Sequence, residues 1–249
     1  MSEARFKFPQ FFITAPQPCP YVEGRLERKL FTHLSGPDAI EVNDRLSATG
    51  FRRSQTIAYR PQCDGCTACQ SLRVVAPLFE PDRNFKRILN RNDDLVAREV
   101  MPVATEEQYE LFQTYLAHRH AHGGMDEMSG EDYRGMVENS SVDTVIVEYR
   151  RPRDGSDDGG PLIAVALCDR LKDGWSMVYS FFDPAESRRS LGTYMVLERI
   201  ESARDLGLPY VYLGYWIEEC RKMAYKTRFK PYEVLNGDVW ELHTRETQL

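Results

Sequence analysis

From Asp82 onward the chain switches between two hydrophobic periods, and before Asp82 hardly any period holds. The stretch DRNFKRILNRNDD predicts a helix with Asp82 as its N-cap. LVAREVMP then alternates as a strand. TEEQYELFQTYLAHRHA opens on Thr105 and lines up Leu111, Phe112, Tyr115 and Leu116 as a helical stripe. SGEDYRGMVEN places Ser129 three residues before Asp132, the start of a capping box. DTVIVEYR, PLIAVALCDRL and WSMVYSFFDP are three successive strands with turn residues between them. A helix follows over SRRSLGTYMVLERIESARDLG, stopped by Gly207. Then come a strand in LPYVYLGYWI, a helix in EECRKMAYKTRF, and a hairpin in YEVLNGDVWEL around Asn236-Gly237.

The first eighty or so residues read differently. They hold four of the six cysteines and many prolines. A strand within Gly24–Leu34, a short helix in DAIEVNDRLSATGFRRS turned at Gly50, and a strand in TIAYRP stopped by Pro61 are the elements they predict. The expected organisation is an N-terminal cysteine-bearing module over 1–81 and a catalytic domain over 82–249. The order from Leu95 on, with three antiparallel strands beside strand–helix–strand connections, predicts an α+β fold with a mixed sheet and helices on both faces. That order matches the acyltransferase fold typified by the N-acetyltransferases.

Composition narrows the setting. With 249 residues there is room for one large domain or a compact pair. No apolar run is long enough to span a membrane, and the N-terminus lacks a signal-peptide core, so a cytoplasmic protein with no membrane partner is expected. Cysteines in that compartment are thiols or ligands rather than disulfides. The net charge of −6 opposes a nucleic-acid surface spread over the whole molecule. It leaves room for a local basic patch.

Several clusters carry chemistry. PQCDGCTACQSLR spaces Cys63, Cys66 and Cys69 at even intervals, and Cys19 could complete a four-ligand set for zinc or an iron–sulfur cluster. No second Cys-x-x-Cys knuckle exists, so a plain structural or redox-sensitive loop stays open beside the metal. Lys222, Lys226 and Lys230 recur every four residues, flanked by Arg221 and Arg228, and Arg83, Arg87 and Arg91 are aligned in the same way. Such stripes either face solvent or neutralise phosphates. SRRSLGT puts Arg188 and Arg189 at a helix N-terminus, a place suited to phosphate. Tyr194 stands where a coenzyme-A loop would need a small residue. HRHAHGGMDEM gathers His118, His120, His122 and Asp126 without a zinc-hydrolase spacing and reads as a polar loop at a site rim. Tyr210, Tyr212, Tyr215 and Trp216 line a strand, where aromatics stack on a base or fill a core. Asp169 and Asp183 close adjacent strands, as functional acids or as turn residues.

The strings YRPQCDGCTACQSLR, RHAHGGMDEMS, SMVYSFFDP, RSLGTYMVLERIESARDLGLPYVYLGYWI and KMAYKTRFKPYEVL together resemble the bacterial branch of the arginyl-tRNA–protein transferase family. The resemblance covers nearly the whole chain. It implies an acyltransferase-like catalytic domain and an activity: transfer of leucine from aminoacyl-tRNA to the α-amine of a protein beginning with Asp or Glu, which marks that protein for degradation. Arginine as the transferred residue, a coenzyme-A-dependent N-acetyltransferase, and a zinc-stabilised binding module remain the alternatives. One departure from eukaryotic relatives is visible: PQPCPYVEG keeps Cys19 but has Val22 where a second cysteine would fall.

Such a reaction is the aminolysis of an ester, which needs a neutral amine, a stabilised oxyanion and placement, and no cofactor. Asp169, or a water held by Tyr215, is the candidate proton acceptor. An acidic acceptor asks for a cationic clamp, for which Arg60, Arg73, Arg119 and Lys226 are the candidates. Arg83, Arg87, Arg188, Arg189, Lys222 and Arg228 are the candidates for tRNA contact.

Overall fold

The computed structural model describes residues 9–119, 128–152 and 159–245. The N-terminal stretch forms β1 (Phe11–Ile13), β2 (Gln17–Pro18), β3 (Leu26–Glu27), β4 (Lys29–His33), α1 (Ala39–Ala48), β5 (Arg52–Ser54) and β6 (Ile57–Pro61). Then come β7 (Gln70–Val75), α2 (Arg83–Arg91), β8 (Val96–Val100), α3 (Glu106–Arg119), α4 (Gly130–Glu138), β9 (Thr144–Arg150), β10 (Leu162–Leu171) and β11 (Gly174–Phe182). The chain closes with α5 (Leu191–Asp205), β12 (Tyr210–Trp216), β13 (Tyr232–Asn236) and β14 (Val239–His243).

Eight strands form one mixed sheet in the order β14-β13-β7-β12-β11-β10-β9-β8. All neighbours are antiparallel except β11 and β12, whose parallel pairing uses α5 as the crossover. Strands β9 and β10 read as nearly unbroken apolar runs because both their faces are covered. Val145, Val147, Ala164 and Ala166 face the core built with Phe85, Ile88, Met195 and Ile200 of α2 and α5. Their alternates Ile146, Val165 and Leu167 pack with Phe112, Leu116, Tyr133 and Val137 of α3 and α4. This is the α+β arrangement with helices on both faces that the hydrophobic pattern predicts. The caps hold as well: Asp82 accepts from the Phe85 N–H, and Ser129 and Asp132 close a capping box.

The N-terminal stretch builds a second sheet, β1-β4-β6-β5, over a small core of Leu34, Ala39, Val42, Phe51 and Ala58. The expected line between 81 and 82 does not separate two sheets. Strand β7, which directly follows Cys69, lies inside the large sheet between β12 and β13. A second difference concerns EECRKMAYKTRF, which forms a 3-10 segment over Arg221–Arg228 instead of an α-helix.

One irregularity positions everything below. The β11–β12 ladder starts where Gly174 meets Tyr210 so closely that a Cβ would sit 2.1 Å from the Tyr210 carbonyl oxygen. It ends at Ser176↔Tyr212, although β11 runs on to Phe182 and β12 to Trp216. Beyond that pair the two strands part.

Candidate functional site

The gap between β11 and β12 has a cation on each lip. Arg52 reaches in from β5, donating to Ser176 Oγ at 3.2 Å and to the Met177 carbonyl of β11. Gly214 of β12 has φ +83°, and a Cβ there would come within 3.3 Å of Arg52 Nε, so glycine leaves the guanidinium its room. On the other lip the buried Lys226 donates from Nζ to the Tyr215 carbonyl at 2.6 Å. Burial, and after it the Arg52 guanidinium, bring the Lys226 ammonium down to about 7.

Beside this gap, at the C-terminal end of β12, a cleft of about 540 Å³ opens between Arg60, the cysteine loop, Tyr215 and the β13–β14 turn. Arg60 lies over the Phe51 ring, 5.1 Å from its centre, and its Nε is buried without a hydrogen-bond partner. A buried donor of this kind is costly unless a ligand satisfies it. Among the described residues, Arg52, Arg60 and Lys226 form no ion pair with a carboxylate, so the cleft and the gap together make an anion-seeking corner. A larger cleft of about 920 Å³ lies at the opposite end of the same strands, but there the carboxylates Asp44, Glu99, Asp143, Glu198, Glu201 and Asp205 outweigh the cations Arg170 and Lys172. Those carboxylates repel both a phosphate and an acidic acceptor.

The structure sorts the residues singled out by sequence. Arg60, Lys226 and Tyr215 come together with Cys63, Cys66 and Cys69. Asp169 does not join them, and the role of proton acceptor is corrected. It is fully buried, and Arg53 grips both its oxygens at 2.6 and 2.7 Å while Thr144 donates at 2.7 Å. Tyr215 is also placed otherwise than expected. Its hydroxyl lies at 3.1 and 2.9 Å from the carbonyls of Gly50 and Tyr59, and burial pushes the phenol up, so it anchors β12 and holds no water for catalysis. Arg73 is not a free clamp, because Glu233 at 2.7 Å and Tyr212 at 2.9 Å take its donors and Tyr210 and Trp240 sandwich its plane. Arg119 ends α3 and its side chain lies outside the described residues, as do His120, His122 and Asp126. Asp183 caps the 3-10 turn at Pro184 through the Ala185 N–H.

Arg52 was missed by sequence reasoning. The signal was present in FRRS: in a strand, neighbouring arginines face opposite ways. Arg53 goes into the interior to Asp169 and Arg52 into the gap.

The cysteines are free thiols and feel one another. Burial first, then Cys19, Cys63 and Cys66, push Cys69 up to about 12. Cys66 is drawn down by the Ala68 N–H and by Arg25, whose Nη1 is 3.0 Å from Sγ. Cys63 accepts from the Arg28 N–H at 3.5 Å. As arranged they do not fit a closed tetrahedral site: among the described residues no three His, Cys, Asp or Glu side chains are grouped to hold a metal ion.

The basic stripes divide. Arg83, Arg87 and Arg91 stay exposed along α2, and Arg91 donates to the Arg188 carbonyl, which brings exposed Arg188 alongside. The exposed Arg228 lies over the ring of Phe85 of the same helix, at 5.4 Å. Arg189 is withdrawn from this face by Asp94 and Glu186 at 2.6 and 2.8 Å. The Lys222/Lys226/Lys230 stripe does not survive, because in a 3-10 segment residues three apart eclipse and residues four apart turn away. Lys222 is exposed and Lys226 buried. Tyr194 is turned into the core against Tyr149, ring centres 5.8 Å apart, so it does not crowd the α5 N-terminus.

Among the described residues no helix is long and apolar enough to cross a membrane. Two family models match the chain: "Arginine-tRNA-protein transferase, N terminus" over residues 17–87 and "Arginine-tRNA-protein transferase, C terminus" over residues 107–236. A Parvibaculum lavamentivorans protein named aspartate/glutamate leucyltransferase is 57% identical over 241 residues, covering 97% of this chain and 98% of that one. A protein of the same name from Afipia carboxidovorans is 58% identical over 232 residues, covering 93% and 92%. A third, from Bradyrhizobium, is 57% identical over 235 residues, covering 93% and 91%.

Proposed function

The chain belongs to the arginine-tRNA–protein transferase family, and from that premise we propose that it transfers leucine from leucyl-tRNA to the α-amine of proteins that begin with Asp or Glu. The leucyl group fits the names of the relatives, which resemble this chain over nearly their full length. The product carries a new N-terminal leucine and, as in the family, enters protein degradation. The reaction takes place in the cytoplasm, where charged tRNA is found.

The single observation that supports the acceptor's place is the unpartnered, buried Nε of Arg60 at the cleft. A side-chain carboxylate of the acceptor's first residue completes it. Asn or Gln would bring no charge to a site whose three cations lack one, and discrimination by an unmet buried charge reaches several orders of magnitude. The donor's ester carbonyl lies at the parting of β11 and β12, where backbone groups of two unpaired strand segments are free to bond to an oxyanion. The amine nitrogen forms the new amide bond, the carbonyl–ribose oxygen bond breaks, and the nitrogen's proton ends on the ribose hydroxyl. Holding both partners in one corner contributes about 7 kcal/mol or more in favourable systems.

The tRNA backbone lies along the exposed row of Arg83, Arg87 and Arg91 with Arg188, Lys222 and Arg228. The 3-10 segment connects that face to Lys226 and the gap. No step needs a metal, and the cysteine loop acts as the wall of the acceptor cleft.

The test is direct. The protein is incubated with tRNA charged separately with leucine and arginine, acetyl-coenzyme A, and peptides starting in Asp, Glu, Asn and Lys. A mass gain of one leucine on the Asp and Glu peptides alone is expected. Equal gain on the Asn or Lys peptides removes the charge-pairing account, arginine transfer replaces the donor, and acetylation replaces the reaction.

A further inference from the structure

We propose that Lys226 is the proton shuttle of the transfer step, held on the β12 lip of the gap by its bond to the Tyr215 carbonyl. This rests on the proposed leucyl transfer and names a residue for it.

The geometry comes first. Lys226 Nζ makes one hydrogen bond, to the Tyr215 carbonyl, at the end of the strand whose side chain walls the acceptor cleft. Arg52, a permanent cation held on the β11 lip by Ser176 Oγ and the Met177 carbonyl, acts on Lys226 electrostatically. The groups that act on Lys226 are Arg52 from β5 and Cys220 just before the 3-10 segment; Arg52 opposes an ammonium and Cys220 favours one. The β12 neighbour, Tyr215, offers a carbonyl, its phenol being tied to Gly50 and Tyr59. A buried ammonium facing a guanidinium, with no carboxylate beside it among the described residues, gives up its proton far more readily than a surface lysine. Desolvated lysines of this kind serve as bases near neutral pH. The other titratable candidates are spent: Asp169 on Arg53 and Thr144, and Tyr215 on backbone carbonyls.

The balance of the step is simple. The neutral α-amine attacks the ester carbon, and its nitrogen becomes cationic in the tetrahedral adduct. Lys226 Nζ takes one proton from that nitrogen. As the carbon–ribose oxygen bond breaks, the same proton passes from Lys226 to the departing oxygen. Lys226 returns to its neutral form, and no oxidant, reductant or co-reactant is needed. Burial, with Arg52 after it, eases the proton off Lys226, and Arg60 holds the acceptor, so the three basic residues have three separate tasks.

The experiment follows kcat/KM for Leu-tRNA and an Asp peptide from pH 5.5 to 9. The wild-type rate should fall with a slope of two below pH 7, one proton on Lys226 and one on the acceptor amine, whose own pKa is about 8. Lys226→Arg keeps the bond to Tyr215 but holds its proton at every pH. It should lose about 100-fold at pH 7.5, within the usual range for a general base, show a slope of one, and keep its Leu-tRNA affinity. Lys226→Ala should regain activity with added small primary amines, in order of their basicity. An arginine variant with the wild-type slope and rate, or a folded alanine variant that no amine restores, overturns the shuttle. Absence of any leucyl transfer by the wild-type protein instead overturns the functional reading itself.

Discussion

The two ends of β12 each gather arginines among aromatic rings, yet they are built on opposite principles. At the start, Arg73 is saturated: Glu233, the Asp173 carboxylate at 4.0 Å, Tyr212 and two ring faces surround it. At the end, Arg52, Arg60 and Lys226 crowd around Tyr215 with backbone carbonyls, a hydroxyl and a ring for company. One end is a finished structural joint, and the other is short of negative charge. Cation content alone does not locate a site; what is left unpaired does. The same contrast recurs at single-residue scale in β5, where Arg53 is closed off by Asp169 and its neighbour Arg52 is not.

This contrast can be broken or sharpened by mutation. The largest effect should come from Asp169→Asn, which leaves the Arg53 guanidinium buried without its counter-charge; about 3–5 kcal/mol of stability should vanish in urea unfolding. Next, Arg60→Ala should lower kcat/KM for Asp and Glu peptides by roughly 100-fold, the scale of a truncated desolvated charge contact, mostly through KM. Arg73→Ala, at the saturated end, should instead lower the melting temperature and leave the Asp-over-Asn preference intact. If the two arginine variants behave alike, the distinction between the ends is gone.

A smaller effect has a pH signature. Lys226 is down near 7 in the fold and holds its proton to about 10.4 when unfolded. Between those values the unfolded chain binds more protons, so stability rises with pH; below 7 both states are protonated and the penalty of the buried charge is fully present. Lys226→Met should therefore raise stability by about 2 kcal/mol at pH 6 and by progressively less toward pH 10, while activity is lost. The smallest effect belongs to the open face. Arg87→Ala should weaken tRNA binding a few-fold and reduce the salt-dependence slope by about one.

Much of this was legible in the sequence. Asp82 and Ser129 announce α2 and α4 because a cap is a local device, written in four consecutive residues. The hairpin at Asn236-Gly237 is local too. β7 was not legible: Ser71 and Arg73 are buried polar residues whose partners, Gly50 and Glu233, are far away in the chain. They erase the alternation that marks a strand. Lys226 was found as a cation and misread as part of a helical row, since only the packing of Phe85 on Phe229, ring centres 5.0 Å apart, reveals how the 3-10 segment docks. Asp169 looked like a free acid because the arginine that neutralises it lies 116 residues earlier.

β7 sits between β12 and β13, so a cut anywhere from 76 to 81 would separate the middle of a sheet from its two flanks. The same holds for a cut between residues 87 and 107, where one family model ends and the other begins, so the acceptor wall and the donor gap must be inherited as one piece. Split at that point, the two fragments should be inert apart and regain transfer only when mixed and refolded together.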